Sequence, residues 1–108
     1  MDVRLTGRHV ELTDQVRAYV QEKAGKLPRY YDRIHAIDVV LNHESEQIRA
    51  EMIVHADRKQ TFVVHGTGAD TFAVVDELIV KMERQLTKHK EKSRLHKHDA
   101  GLDGTMQA

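Results

Sequence analysis

The sequence predicts an α/β chain of the two-layer α+β kind, ordered β-α-β-β-β-α, with a four-stranded sheet and two helices packed on one of its faces. Three observations predict it. Apolar residues recur at spacings of three and four in two separated segments, the period of a helix with one buried side. Between those segments, apolar and polar residues alternate in three runs, the period of a strand with one buried face. Links of three or four residues join the three runs, which makes them an antiparallel meander. At 108 residues and 40% hydrophobic content the chain has one modest core.

The elements follow in order. Val3 and Leu5 alternate with Asp2, Arg4 and Thr6 and lead into Gly7, a first strand over 2–7. Thr13 and Asp14 then offer a helix cap, and Val16, Tyr19, Val20, Ala24 and Leu27 continue an apolar stripe, so the first helix is expected over about 14–27. Pro28 ends or kinks it, because proline has no N–H to donate and crowds the carbonyl four residues back. Ile37, Val39 and Leu41 define a strand within 34–44, and Ala50, Met52 and Val54 one within 48–56. A shorter run at 61–65 stops before Gly66 and Gly68. Arg49, Glu51 and His55 have the opposite parity to their apolar neighbours, so the second sheet face is expected to be wet. Asp70 and Thr71 cap a last helix, whose stripe of Phe72, Val75, Ile79, Met82 and Leu86 carries it to about Lys92. The organisation expected is one functional domain over 1–95 and a disordered tail over 96–108, which has no periodicity and two glycines.

Charge is neutral in sum and uneven in place. Seventeen Lys and Arg balance seventeen Asp and Glu, yet residues 81–98 hold seven cations (Lys81, Arg84, Lys88, Lys90, Lys92, Arg94, Lys97) against Glu83 and Glu91. At about 100° per residue, Lys81, Arg84, Lys88 and Lys92 fall on the side of the last helix opposite its apolar stripe. A one-sided row of cations suits successive phosphates of structured RNA, and such contacts carry affinity with little sequence information. Lys23, Lys26 and Arg29 form a second basic group at the end of the first helix. Lys23 falls within the apolar stripe there, so its stem must lie on apolar surface with the ammonium snorkelling out.

Other chemistries find little support. The absence of cysteine removes disulfides, thiolate catalysis and thiolate zinc sites. The eight histidines show no helical i, i+4 pair with an acid beside it, and Gly66-Thr67-Gly68 lacks the rest of a phosphate loop. No catalytic residue, metal, cofactor or small-molecule substrate is expected, and the chain does not read as an enzyme. Five aromatics, with Tyr19 and Phe72 on core stripes, predict no platform for stacking bases. No apolar run is long enough to cross a membrane and no signal peptide is evident, so a cytoplasmic protein is expected.

Three separated motifs, in order, carry a resemblance. They are Leu5-Thr-Gly-Arg-His-Val-Glu-Leu-Thr13, Lys26-Leu-Pro-Arg-Tyr-Tyr-Asp-Arg-Ile34, and Asp70-Thr-Phe-Ala-Val-Val-Asp76 leading to Met82-Glu-Arg-Gln-Leu-Thr-Lys-His-Lys-Glu-Lys92. Over residues 1 to about 95 the chain resembles the family of ribosome hibernation promoting factor and ribosome-associated inhibitor A, in its short form. The resemblance implies a domain similar to double-stranded RNA-binding domains, seated on the small ribosomal subunit near the decoding region. There it would contact ribosomal RNA, block messenger and transfer RNA and inhibit translation in stationary or stressed cells. The family's basic positions correspond to Lys23, Lys26, Arg84, Lys88, His89, Lys90 and Lys92. Two departures stand out: Pro28 replaces an acid or polar residue of many relatives, and residues 96–108 fit neither subtype's ending. The run Leu86-Thr-Lys-His-Lys-Glu-Lys92 favours the promoting form, which pairs ribosomes together with ribosome modulation factor. The alternatives are an inhibitor that opposes pairing, a free-standing duplex-RNA binder, and a protein-binding module of the sigma-factor modulator type that would use the exposed sheet face or an edge strand.

Overall fold

The computed structural model describes the backbone of residues 1–98 and the side chains to residue 92. Strands β1 (Asp2–Arg8), β2 (Ile34–Glu44), β3 (Gln47–Ala56) and β4 (Thr61–Gly68) form one sheet in the order β1-β2-β3-β4, with helices α1 (Asp14–Ala24) and α2 (Thr71–His98). β1 and β2 run parallel because a whole helix joins them, whereas tight turns make β2–β3 and β3–β4 antiparallel. Among the described residues every buried side chain is apolar. The core joins Ile37, Val39 and Leu41 of β2 and Met52 and Val54 of β3 to Val20 of α1 and Leu78, Met82 and Leu86 of α2.

Both helices start as the sequence indicates. The Thr13 hydroxyl accepts from the Val16 N–H at 3.2 Å, and the Asp70 carboxylate accepts from the Ala73 N–H at 3.2 Å. Tyr19 of α1 packs edge-on against Phe72 of α2 at 5.0 Å, while Tyr31, after α1, packs edge-on against His89 at 5.5 Å. The two helices therefore run in the same direction.

Three boundaries differ from the sequence expectation. α1 ends at Ala24 rather than near Pro28, and Leu27–Arg29 form a separate 3-10 turn. An α-helical Pro28 would push its ring into the carbonyl of residue 24, so the chain leaves α geometry a turn early and places the proline in the first turn of a new element. β4 continues through Gly66 to Gly68 instead of stopping before them. These glycines mark close approach, not a turn: a Cβ on Gly66 would lie 2.9 Å from Glu77 Oε1 and one on Gly68 3.1 Å from Val74 Cγ2, both side chains of α2. α2 runs to His98, six residues past the expected end and three into the segment read as a tail. Its length is about 42 Å at 1.5 Å per residue. Residues 99–108, the rest of that expected tail, lie outside the described residues.

Candidate functional site

The cations singled out in the sequence fall into three environments. In the first group, Lys23 and Lys26 have local partners. Lys23 is half-buried with Nζ 5.3 Å from the centre of the Tyr19 ring, the snorkelling position expected of it, and Lys26 lies 3.9 Å from Glu22 on the preceding turn. Arg29 is exposed in the 3-10 turn.

A second environment ties α2 to the sheet. Lys81 pairs with Glu77 at 2.9 Å and donates to the His65 carbonyl at 2.6 Å, while Glu77 also accepts from the Thr67 N–H at 3.2 Å. Lys81's hydrogen bond and charge hold the Glu77 carboxyl below its ordinary range against the opposing effect of desolvation. Lys81, one of the four cations read as a row for RNA phosphates, is therefore matched with an acid, which lies one turn upstream of the charged segment. His89 is also engaged. It is half-buried, with its ring 5.5 Å from Tyr31 and 5.1 Å from Phe62, and those two rings are 6.0 Å apart, so it seals the far end of the core.

The third environment is open. Arg84, Lys88, Lys90 and Lys92 form no ion pair among the described residues, and their side chains stand toward solvent. Arg84 and Lys88 stand on a ridge between two shallow grooves, each of about 430 Å³. One runs along β4 and includes Val63, Lys81 and Gln85; the other faces the 3-10 turn and includes Tyr30, Val80 and Thr87. Val63 and Val80 are 42% and 46% exposed, so each groove has an apolar side chain within reach of the same two cations. Lys23, Lys26 and Arg29 line neither groove.

Tyr30, Val63 and Val80 were absent from the expected site. Val80 carried a legible signal, being an apolar residue on the charged side of an otherwise regular helical pattern. Tyr30 carried none, because its position depends on how the turn at Pro28 folds back on α2.

Other ion pairs lie on the sheet. On the open sheet face Arg4 pairs with Asp38 at 2.8 Å, Asp38 with His55 at 2.9 Å, and Glu51 with His65 at 3.1 Å, consistent with the wet face expected there. Among the described residues no helix is long and apolar enough to cross a membrane.

Fold and ridge together define a class: a two-layer α+β module that presents a row of unpaired cations on its long last helix. The chain belongs to the Sigma 54 modulation protein / S30EA ribosomal protein family, whose model matches residues 3–94. It is 38% identical over 98 residues to the ribosome hibernation promoting factor of Escherichia coli strain K12, covering 89% of this chain and all of that one. The protein of the same name from Azotobacter vinelandii is 36% identical over 92 residues, 85% of each chain. Among solved structures, the N-terminal domain of Protein Y from Thermus thermophilus superposes with a TM-score of 0.75 at 32% identity, over 82% of this chain and 99% of that one. A ribosomal subunit interface protein from Coxiella burnetii has the same fold, with a TM-score of 0.74 at 24% identity over 84% and 99% of the two chains.

Proposed function

We propose that this protein is a cytoplasmic ribosome hibernation factor that binds the small ribosomal subunit through its RNA near the decoding region. Bound there, it excludes messenger and transfer RNA and silences translation, and with ribosome modulation factor it promotes ribosome pairing. The observation that carries this reading is the open row of Arg84, Lys88 and Lys92 on a face of α2 that the core does not use. A chain of zero formal net charge has no general attraction for RNA, so its affinity must come from such a local concentration. Family membership and the names of the relatives at 36–38% identity support the ribosome as the partner. Lys23, Lys26, Arg29, Lys90 and His89 are assigned supporting roles at the margins of the same interface. Lys81 is assigned to its periphery, since its ammonium is already bound.

The test is sedimentation of purified ribosomes with the protein through sucrose gradients, with and without ribosome modulation factor. Co-migration with small subunits and whole ribosomes is expected, with a ribosome-dimer peak only when the modulation factor is present. Suppressed dimers would assign the inhibitor role instead, and protein left at the top of the gradient at low salt would refute the proposal. Arg84→Ala, Lys88→Ala and Lys92→Ala combined should keep the fold and weaken binding. The dependence of log K on log salt should fall by roughly one for each phosphate that the variant no longer grips.

A second reading, protein docking on the open sheet face, is favoured by one feature. Val40, Ile53 and Val63 lie on adjoining strands there, with Ile53 directly opposite Val63 in the sheet register and Val40 one step along the diagonal. Around this strip Arg4 pairs with Asp38 and Arg49 with Glu44.

A further inference from the structure

We propose that the groove between the 3-10 turn and α2 receives an unpaired nucleobase of the RNA whose phosphates the Arg84–Lys88 ridge grips. The inference rests on the reading given under Proposed function and adds a base contact to what would otherwise be recognition of charge and shape alone.

The groove is built from parts the core does not require. Val80 faces away from the stripe formed by Ile79, Met82 and Leu86 and is 46% exposed. Thr87 lies two turns further along, on the same side of the helix. Tyr30 stands over them from the neighbouring element and is held in advance. Its N–H donates to the Leu27 carbonyl at 2.8 Å, Pro28 stiffens the turn, and its side chain is half-buried against the core. An aromatic ring already fixed in place loses little freedom when a planar group stacks on it. The groove's volume, about 430 Å³, falls in the range of roughly 300–1,000 Å³ typical of small-molecule sites.

The polar residues narrow the occupant. Arg84 and Lys88 call for an anion, yet Glu83 and Glu91 line the same groove and would repel one placed across all of it. The ligand must therefore be anionic on the ridge side and neutral within the groove, where carboxylates accept hydrogen bonds from N–H donors. A nucleotide has that division. Its phosphate suits the ridge, its flat base suits Tyr30 and Val80, and the amino groups of adenine, cytosine and guanine suit Glu83 and Glu91; uracil offers no amino group. An acidic peptide would bring carboxylates against the two glutamates.

The experiment compares the wild type with Tyr30→Leu, Tyr30→Phe and Val80→Gln for binding to purified small subunits at several salt concentrations. The reactivity of ribosomal RNA bases toward dimethyl sulfate is measured alongside, and thermal melting verifies the fold of each variant. Val80→Gln, at an exposed helix position, serves if Tyr30→Leu melts early. Loss of stacking lowers affinity about tenfold in Tyr30→Leu and in Val80→Gln, with an unchanged salt slope because no charge is removed. Tyr30→Phe binds as the wild type does. At least one adenine or cytosine protected by the wild type regains reactivity in Tyr30→Leu. Equal affinity and identical protections in Tyr30→Leu and Val80→Gln would overturn the base site while leaving ribosome binding intact. Failure of the wild type to bind small subunits would overturn the proposed function and the base site with it.

Discussion

Tyr19 shows how one residue of α1 organises its surroundings. Its ring packs edge-on against Phe72, its hydroxyl donates to the Asp76 carboxylate, and its face carries the Lys23 ammonium. The hydrogen bond to Asp76, followed by desolvation and the negative charge nearby, raises the phenol above its ordinary value of 10.0. A group whose pKa is raised by folding stabilises the fold fully below its unfolded value, and that stabilisation is lost as pH rises through the folded value. Tyr19 therefore favours the folded state up to about pH 10 and withdraws its contribution above it. Asp76→Asn should move the Tyr19 phenolate transition, followed by ultraviolet absorbance, toward lower pH. It should also lessen the extra loss of thermal stability above about pH 10. An unchanged titration would mean that the Tyr19–Asp76 contact does not persist in solution. The boundary role of Lys23 could be read from helical angle alone. Its aromatic partner Tyr19, one turn back, could be guessed the same way, but the acid that Tyr19 itself binds, Asp76, 57 residues beyond Tyr19, could not.

At the scale of elements, α2 closes the free edge of β4. Four helical residues advance about 6 Å and two strand residues about 6.8 Å, so side chains at i and i+4 keep step with alternate backbone groups of a strand beside them. Glu77 reaches the Thr67 N–H and Lys81 the His65 carbonyl in that rhythm, which protects an edge otherwise open to pairing with another chain. Gly66 is small because Glu77 lies over it. Gly66→Ala should displace Glu77 and cost about 1 kcal/mol in chemical denaturation through loss of its hydrogen bond. In a Glu77→Ala background the same change should cost little, and a full additive cost in that cycle would locate the strain in the backbone instead. The sequence shows these glycines as a break in alternation, and a break is what either a strand end or a covered strand looks like. Only the helix overhead distinguishes the two. The β2–β3 link is similar: its length was legible, but the left-handed φ of Ser45 at 46° and Glu46 at 65° could not be inferred from residues that carry no glycine.

For the whole molecule, the question is which surface meets the ribosome. One sheet face is covered by both helices, and the other carries a short apolar strip among polar side chains, with Arg4 paired to Asp38 and Arg49 to Glu44. The outward side of α2 instead holds Arg84, Lys88 and Lys92 in a row on one face of the helix, none of them in an ion pair among the described residues. Ile53→Glu, at the middle of the open sheet face, should therefore leave small-subunit binding within about twofold of wild type, since a surface change away from the interface has little effect. Loss of binding in a variant that still melts normally would transfer the interface to the sheet and favour the protein-docking reading.

By itself the sequence determined the element order, the buried faces of both helices and of the first three strands, both helix caps and the position of the basic row. All of these follow from periods of two or 3.6 residues and from local chemistry, which act over a few neighbouring positions. Tertiary structure decided which cations stay free, because Lys81 and His89 are claimed by partners 16 to 58 residues away in the chain, at His65 on β4 and Tyr31 after α1. It also decided that Tyr30 and Val80 share a groove beside Arg84 and Lys88. Contacts of that kind depend on where a turn closes and how two elements dock, and no local pattern encodes the distance between residues that meet only when the core forms.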